Sequence, residues 1–343
     1  MRQDTARDVF VGIDYHQDNV QVCVLDPSGG VLLNRSLPNR RDVIESAVGV
    51  LGRPRRAALE ACGGAASLAQ ELVDVSGWSV DLAHPGYVAR MKRSPDKTDF
   101  GDARLLADLT RVGYLPKVWL APPYIRELRR LVRYRQQQAD VRRNVKLRIG
   151  ALLREHRLRP GGPIRPWTKA WLWWLTTEVR ASLPEGSAWI LDRHLAQLAW
   201  ITAEIEVARD RLRAFTENDA TVKRLLLEPG IGEVTAWVLR SEIGRFDRFA
   251  SSKSVSHFCG LSPRNASSGQ RQADAGLVKA GSNLLRATVM EAAHRLCRRE
   301  QRWSELKQRL VAAGKSGSLA TAAVGNRWMR GLWHRMMERT EAS

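Results

Sequence analysis

The sequence predicts an α/β domain at the N-terminus, a long helical middle and a mainly helical C-terminal part. Three observations carry that expectation. Short β-branched runs are confined to roughly the first quarter of the chain, a seven-residue apolar repeat runs through the middle, and glycine-rich breaks divide the remainder into helices.

Val9-Phe-Val-Gly-Ile13 and Val20-Gln-Val-Cys-Val-Leu25 read as strands, and Pro27-Ser-Gly-Gly30 as the turn before a third, Val31-Leu-Leu33. Tight connections make these an antiparallel meander. A helix is expected from Arg41 to Leu51, a strand at Ala57-Ala-Leu59, a helix from Ala65 to Val75 and a strand at Ser79-Val-Asp-Leu-Ala83. Three antiparallel strands followed by alternating strands and helices is the order of the RNase H-like fold, an order shared by other mixed α/β domains.

After Pro122-Pro123 the pattern becomes helical from Tyr124 to about Arg157, up to the breaker Pro160-Gly-Gly-Pro163. A second long helix is expected from Ser187 to Phe215, with Leu191, Leu198, Ile205 and Leu212 seven residues apart. That seam fits either an antiparallel hairpin within one chain or a coiled coil between chains, and a dimer contact is the favoured expectation. From Val222 onward helices are interrupted at Pro229-Gly-Ile-Gly232 and between Leu261 and Gly281. The boundaries expected are 1–120, 121–220 and 221–343.

A chain of 343 residues is long enough for more than one core. Its 55 Lys and Arg against 36 Asp and Glu give a net charge of +19, which attracts polyanions and makes nucleic acid the leading partner. Much of the charge is arginine, in runs such as Arg126-Glu-Leu-Arg-Arg130, although arginine-rich faces also occur as plain solvated surface. The four cysteines have no metal-ligand spacing and no disulfide framework is indicated. With no membrane-length apolar run and no signal-peptide core, a cytoplasmic protein with no membrane partner is expected. The tryptophans of Trp171-Leu-Trp-Trp174 suit helix packing better than base stacking.

Asp14 and Glu60 each end an apolar strand, where packing gives a carboxylate no purpose. Asp99 and Asp102 fall three apart at the start of an expected helix and so share a face. Hard divalent cations take several oxygen ligands, and two Mg²⁺ ions about 4 Å apart suit phosphodiester displacement. The same acids also suit helix capping and strand-end hydrogen bonds. Pro229-Gly-Ile-Gly232 fits either a helix-hairpin-helix-like element, with Gly230 and Gly232 letting the backbone approach a phosphate, or an ordinary helix turn. Pro263-Arg-Asn-Ala-Ser-Ser-Gly-Gln-Arg271 combines hydroxyls, Gly269 and arginines, as a phosphate-binding or nucleophile loop does, and also as a solvated loop does.

The ordered set Gly12-Ile-Asp-Tyr-His16, Leu59-Glu60-Ala-Cys-Gly63, Lys97-Thr-Asp-Phe-Gly-Asp-Ala103, Pro229-Gly-Ile-Gly232, Glu242-Ile-Gly244, Gly260-Leu-Ser-Pro-Arg264, Ser267-Ser-Gly269, Gly276-Leu-Val-Lys-Ala-Gly281 and Leu285-Arg286 resembles the bridge-RNA-guided transposases of the insertion sequence 110 family. The resemblance spans nearly the whole chain. It implies a RuvC-like, RNase H-fold domain whose Asp14, Glu60, Asp99 and Asp102 hold Mg²⁺, and a transposase domain whose Ser267, or failing that Ser268, attacks DNA. Arg264, Arg271, Lys279 and Arg286, with Gly230 and Gly232, are the nucleic-acid contacts expected. It further implies element-end and target DNA, a noncoding guide RNA, a coiled coil, a homodimer or homotetramer, and a bacterial cytoplasm. The rivals are a site-specific DNA invertase of the same architecture, a water-using RNase H-like nuclease or resolvase, and a non-catalytic nucleic-acid-binding protein.

Overall fold

The structure is a computed structural model that describes residues 7–91, 98–265, 274–278 and 281–338. Ser267, Ser268, Arg271 and Lys279 lie outside the described residues. The chain divides into two compact units, Met1–Pro122 and Pro123–Ser343.

In the first unit, β1 (Asp8–Tyr15), β2 (Asn19–Leu25) and β3 (Val31–Pro38) form the expected meander. Then follow α1 (Arg41–Gly49), β4 (Arg53–Glu60), α2 (Ala65–Asp74), β5 (Val80–Ala83), α3 (Pro85–Met91), α4 (Asp99–Arg111) and β6 (Lys117–Val118). The six-stranded sheet has the order β3-β2-β1-β4-β5-β6. β1 runs antiparallel to β2 and parallel to β4, with Gly12 opposite Cys23 and Ile13 opposite Leu59. This is the strand order expected of an RNase H-like sheet. β6 has no counterpart among the expected elements, because a strand of two residues has no hydrophobic period to read. β3 continues past Leu33 because an edge strand tolerates the polar stretch Asn34-Arg-Ser36.

The β2–β3 turn is closed by Asp26, which accepts hydrogen bonds from Ser28 Oγ at 2.5 Å and Gly30 N at 2.9 Å. Those bonds, the Ser28 hydroxyl foremost, hold its carboxyl below the usual range.

Both faces of the central strands are covered, so β1 reads as a nearly continuous apolar run. Val9, Val11 and Ile13 face α1 and α2, packing on Ile44, Val48, Leu68 and Leu72. The opposite face carries Cys23, Leu25 and Ala58 beneath Ala103, Leu106 and Ala107 of α4. Side chains alternate along a strand, so Gly12 and Asp14 belong to the α4 face, as do Ala58 and Glu60.

The second unit begins with α5 (Pro123–Glu155) and continues through α6 (Lys169–Trp174), a π-turn at Leu175–Val179, α7 (Arg180–Ser182) and α8 (Glu185–Thr216). α5 and α8 lie antiparallel. Tyr124 stacks on Phe215, Tyr134 donates to Glu204 at 2.7 Å, and His156 meets Ser187 at 3.0 Å. The heptad seam is spent on this pairing, with Leu191, Leu198 and Ile201 buried against Val145, Ile149 and Leu152. The favoured expectation that this seam joins two chains is therefore corrected: it builds the intrachain hairpin. A second set on α8, comprising Trp189, Ala196, Trp200, Ala203, Val207 and Ala214, keeps the same spacing on the opposite side and is exposed. Trp174 is buried and Trp171 stands 4.8 Å from it, in keeping with packing, while Trp173 is exposed.

The remaining elements are α9 (Ala220–Leu226), α10 (Glu233–Ile243), α11 (Ser252–Phe258), the hairpin strands β7 (Pro263–Asn265) and β8 (Asp274–Leu277), α12 (Asn283–Arg299), α13 (Gln301–Ala312) and α14 (Gly317–Glu338). They share one core around Trp237, Leu239, Leu296, Trp328 and Leu332, to which α5 adds Leu128 and Val132. Two arginines of the basic α5 are structural: Arg129 donates twice to the Ser241 carbonyl at 2.9 and 3.1 Å, and Arg133 pairs with the buried Glu242 at 3.2 Å.

Candidate active site

Asp14 stands near the C-terminal end of β1, and Glu60 ends the parallel neighbour β4. Ligand sites of open α/β sheets gather at those strand ends. α4 supplies the other acids. Thr98 caps it, its hydroxyl accepting from Gly101 N at 3.2 Å, which places Asp99 and Asp102 in a first turn where the helix dipole favours negative charge. Gly12 lets this helix settle on the sheet, because a Cβ there would meet the Ala103 oxygen at 2.0 Å.

Asp14 and Asp99 are brought together, and the third group beside them is His16. The ligand atoms of Asp14, His16 and Asp99 all lie within 4.8 Å of one another. His16 Nε2 sits 3.3 Å from Asp99 Oδ2 and 3.5 Å from Asp14 Oδ2, yet that nitrogen is buried without an aligned hydrogen bond. A nitrogen so placed between two carboxylates fits a divalent cation, and the mixed nitrogen–oxygen donor set is softer than four carboxylates. Glu60 and Asp102 occupy the adjoining strand end and helix turn but stand outside this triple, and Asp102 is buried. His16 was legible only as the last residue of Gly12-Ile-Asp-Tyr-His16, where it lies beyond the strand and its alternation.

In the second unit, Gly230 has φ +81°, and a Cβ there would touch Leu296 at 2.9 Å, so its glycine is needed for the turn against α12. Gly232 precedes α10 with open space around it. The first residue of α10, Glu233, is gripped by Arg213 at 2.7 Å and Arg209 at 3.0 Å, which draws its pKa down to about 2. Its carboxylate already supplies negative charge at that helix N-terminus. The short helices α9 and α10 thus meet at a tight turn, as both a helix-hairpin-helix and an ordinary helix turn require. Arg264 is exposed on β7, and Arg286 donates to Asn283 at the start of α12.

Residues 11–157 match the DEDD transposase model of IS110, described as a transposase, and residues 222–308 match the model of the transposase IS116/IS110/IS902 family. The chain belongs to the IS110 family of transposases. Among similar proteins, the transposase for insertion sequence element IS1111A of Coxiella burnetii is 24% identical over 87% of this chain and 80% of its own length. The transposase for IS1328 of Yersinia enterocolitica is 25% identical over 83% and 82%, and a probable family 20 transposase of Pseudomonas aeruginosa is 26% identical over 94% and 95%. The carboxylates of this transposase thus stand on the segment that matches the DEDD model, and the Ser267 motif on the segment that matches the second. Among its described residues no helix is long and apolar enough to cross a membrane.

Proposed function

We propose that this transposase cuts and rejoins DNA at element ends and targets by a composite mechanism, with Ser267 as nucleophile and a carboxylate-held divalent cation. The observation that carries the reading is the convergence of Asp14, His16 and Asp99 at the end of β1, on the face that also bears Glu60. Asp14, Glu60, Asp99 and Asp102 would hold Mg²⁺, which when bound supplies charge stabilisation to the scissile phosphate. Ser267 Oγ attacks phosphorus, losing its proton as the new P–O bond forms. The bond to the 3′ oxygen breaks and that oxygen takes up a proton, leaving a 5′-linked phosphoserine. Attack by the 3′ hydroxyl of the exchanged strand reverses the chemistry. Arg264, Arg271, Lys279 and Arg286 neutralise phosphate charge, and Gly230 and Gly232 let the backbone approach the strand.

In this reading 1–120 is the catalytic carboxylate domain, 121–220 the coiled-coil region and 221–343 the serine domain, and a noncoding guide RNA selects the DNA in the bacterial cytoplasm. The net charge of +19 supports a nucleic-acid partner of this extent. The active form is a homodimer built on the exposed seam of α8, with the tetramer its doubling. An antiparallel second copy sets Trp189 against the partner's Ala214, Trp200 against the partner's Ala203, Val207 against the partner's Ala196 and Arg193 against the partner's Asp210. Each apolar layer then pairs large with small, and the polar layer pairs opposite charges.

The test is end-labelled junction DNA incubated with protein, native flanking RNA and Mg²⁺. Label covalently attached to protein, lost in both Ser267→Ala and Asp14→Asn, is the outcome expected. Cleavage without an adduct would transfer the chain to water-using nucleases, and inverted flanking sites in place of element ends would make it an invertase.

A further inference from the structure

Between the base of the β7–β8 hairpin and α14 lies an open cleft of about 360 Å³. Leu261, Leu277, Leu310 and Leu319 form its apolar walls, while Lys315, Asn326, Arg327 and Arg330 supply its polar groups. Asn326, Arg327 and Arg330 follow Ala323 at spacings of three, four and seven, so one face of α14 presents them all. Among the described residues no acidic side chain lines the cleft.

The two arginines differ from Arg335 and Arg302 in their partners. Arg335, further along α14, pairs with Glu228 at 2.7 Å, and Arg302 pairs with Glu300 at 2.9 Å. Arg330, by contrast, has its Nε buried with no hydrogen-bond partner among the described residues, and no carboxylate among them pairs with Arg327 or Arg330. A buried guanidinium nitrogen without an acceptor is costly, and a phosphate oxygen removes that cost with a charge-assisted bond. Asn326 meanwhile donates to the Leu261 carbonyl at 3.2 Å and so ties the chain leading into the hairpin to the same helix face.

We propose that this cleft seats one unstacked nucleotide of the DNA strand being cut, its sugar and base against the leucines and its phosphate against Arg327 and Arg330. The volume lies at the small end of ligand sites and suits one nucleotide rather than a duplex. Leucine walls accept any base face, so the seat is tolerant of sequence and holds the strand in place. The assignment to the cut strand rests on the Ser267 reading, since Pro263 precedes Ser267 by four residues in the sequence.

The experiment uses the full chain and a fluorescent ten-nucleotide thymidine DNA, read by anisotropy across a salt series. Arg327→Ala/Arg330→Gln removes the cations, Leu319→Trp fills the cleft without altering charge, and Arg302→Ala/Arg309→Ala removes equal charge elsewhere. The expected result is at least a tenfold loss for the first variant, at least fivefold for the second and less than twofold for the third. The log–log salt slope of the first falls by roughly 0.7, the value for one single-strand phosphate that goes without its cations. Unchanged binding in the first two variants, with thermal midpoints like the parent's, overturns the seat, as does an equal loss in the third. A loss confined to ten-nucleotide uridine RNA overturns the assignment to DNA. Adduct formation by the parent protein is scored separately. Binding loss without any parental adduct leaves the seat and removes the serine reading, whereas an adduct with unchanged binding does the reverse.

Discussion

Gly12 of β1 lies directly beneath the Ala103 carbonyl of α4, so close that a methyl group on Gly12 would fall 2.0 Å from that oxygen and 2.4 Å from the Ala107 nitrogen. This contact sets the height of α4 above the sheet, and with it the position of Asp99 over Asp14. Gly12→Ala must lift the helix backbone, which no side-chain rotation relieves. The expected outcome is a loss of about 1–3 kcal/mol in urea unfolding, together with loss of divalent-ion binding. Gly63→Ala, where nothing lies within 4 Å of the added carbon, is the matched control and should leave both unchanged.

The convergence of Asp14, His16 and Asp99 predicts a metal-dependent thermal midpoint. A cation that binds only the folded chain stabilises it by about 2.7 kcal/mol at one hundred times its dissociation constant. Mg²⁺ or Mn²⁺ is expected to raise the melting temperature of the parent protein and not that of Asp14→Asn. His16→Ala should weaken Mn²⁺ more than Mg²⁺, because an imidazole nitrogen suits the softer ion. Equal responses of parent and Asp14→Asn would remove the site.

The sheet was legible because β1 and β2 are apolar on both faces, and Asp14 and Glu60 stood out where the apolar runs of β1 and β4 end. His16 was not, since it lies past the strand where period-two reasoning stops, and only the approach of α4 gives it company. The α8 seam shows a different limit. Leu191, Leu198 and Ile205 announce a helix partner without saying whose helix it is, and the breaker at 160–163 allows the chain to fold α5 back onto it. Arg129 and Arg133 mark a third limit, because composition counts them with the nucleic-acid-binding charge while the fold uses them to hold Ser241 and Glu242.

Glu233 gives the second unit an acid-labile clamp. Arg213 and Arg209 lower its pKa from 4.5 to about 2, so the folded chain keeps the carboxylate charged where the unfolded chain would protonate it. A depressed folded-state pKa contributes stability that is complete above about 4.5 and declines as pH falls toward 2. Partial exposure keeps the contribution small. Glu233→Gln is expected to lower the melting temperature at pH 7 and to narrow its gap from the parent between pH 4.5 and 3. A gap that stays constant over that window would show that the clamp adds no pH-dependent stability.

The exposed seam of α8 makes a prediction about register as well as about assembly. Trp200→Glu puts a charge in the central layers and is expected to turn a dimer into a monomer at micromolar concentration, measured by sedimentation equilibrium. In the antiparallel pairing Arg193 faces the partner's Asp210, although Asp210 also holds Arg213 within its own chain at 2.7 Å. Asp210→Arg should weaken the dimer by setting two arginines opposite each other, and Arg193→Asp should weaken it by setting two aspartates opposite. The double variant restores opposite charges in both symmetric layers and should recover most of the affinity lost by either single change. A parallel pairing would instead stack residue 193 on itself, and the double variant would then be no better than the singles. Recovery in the double variant therefore reports both that the chains dimerise through α8 and that they do so head to tail.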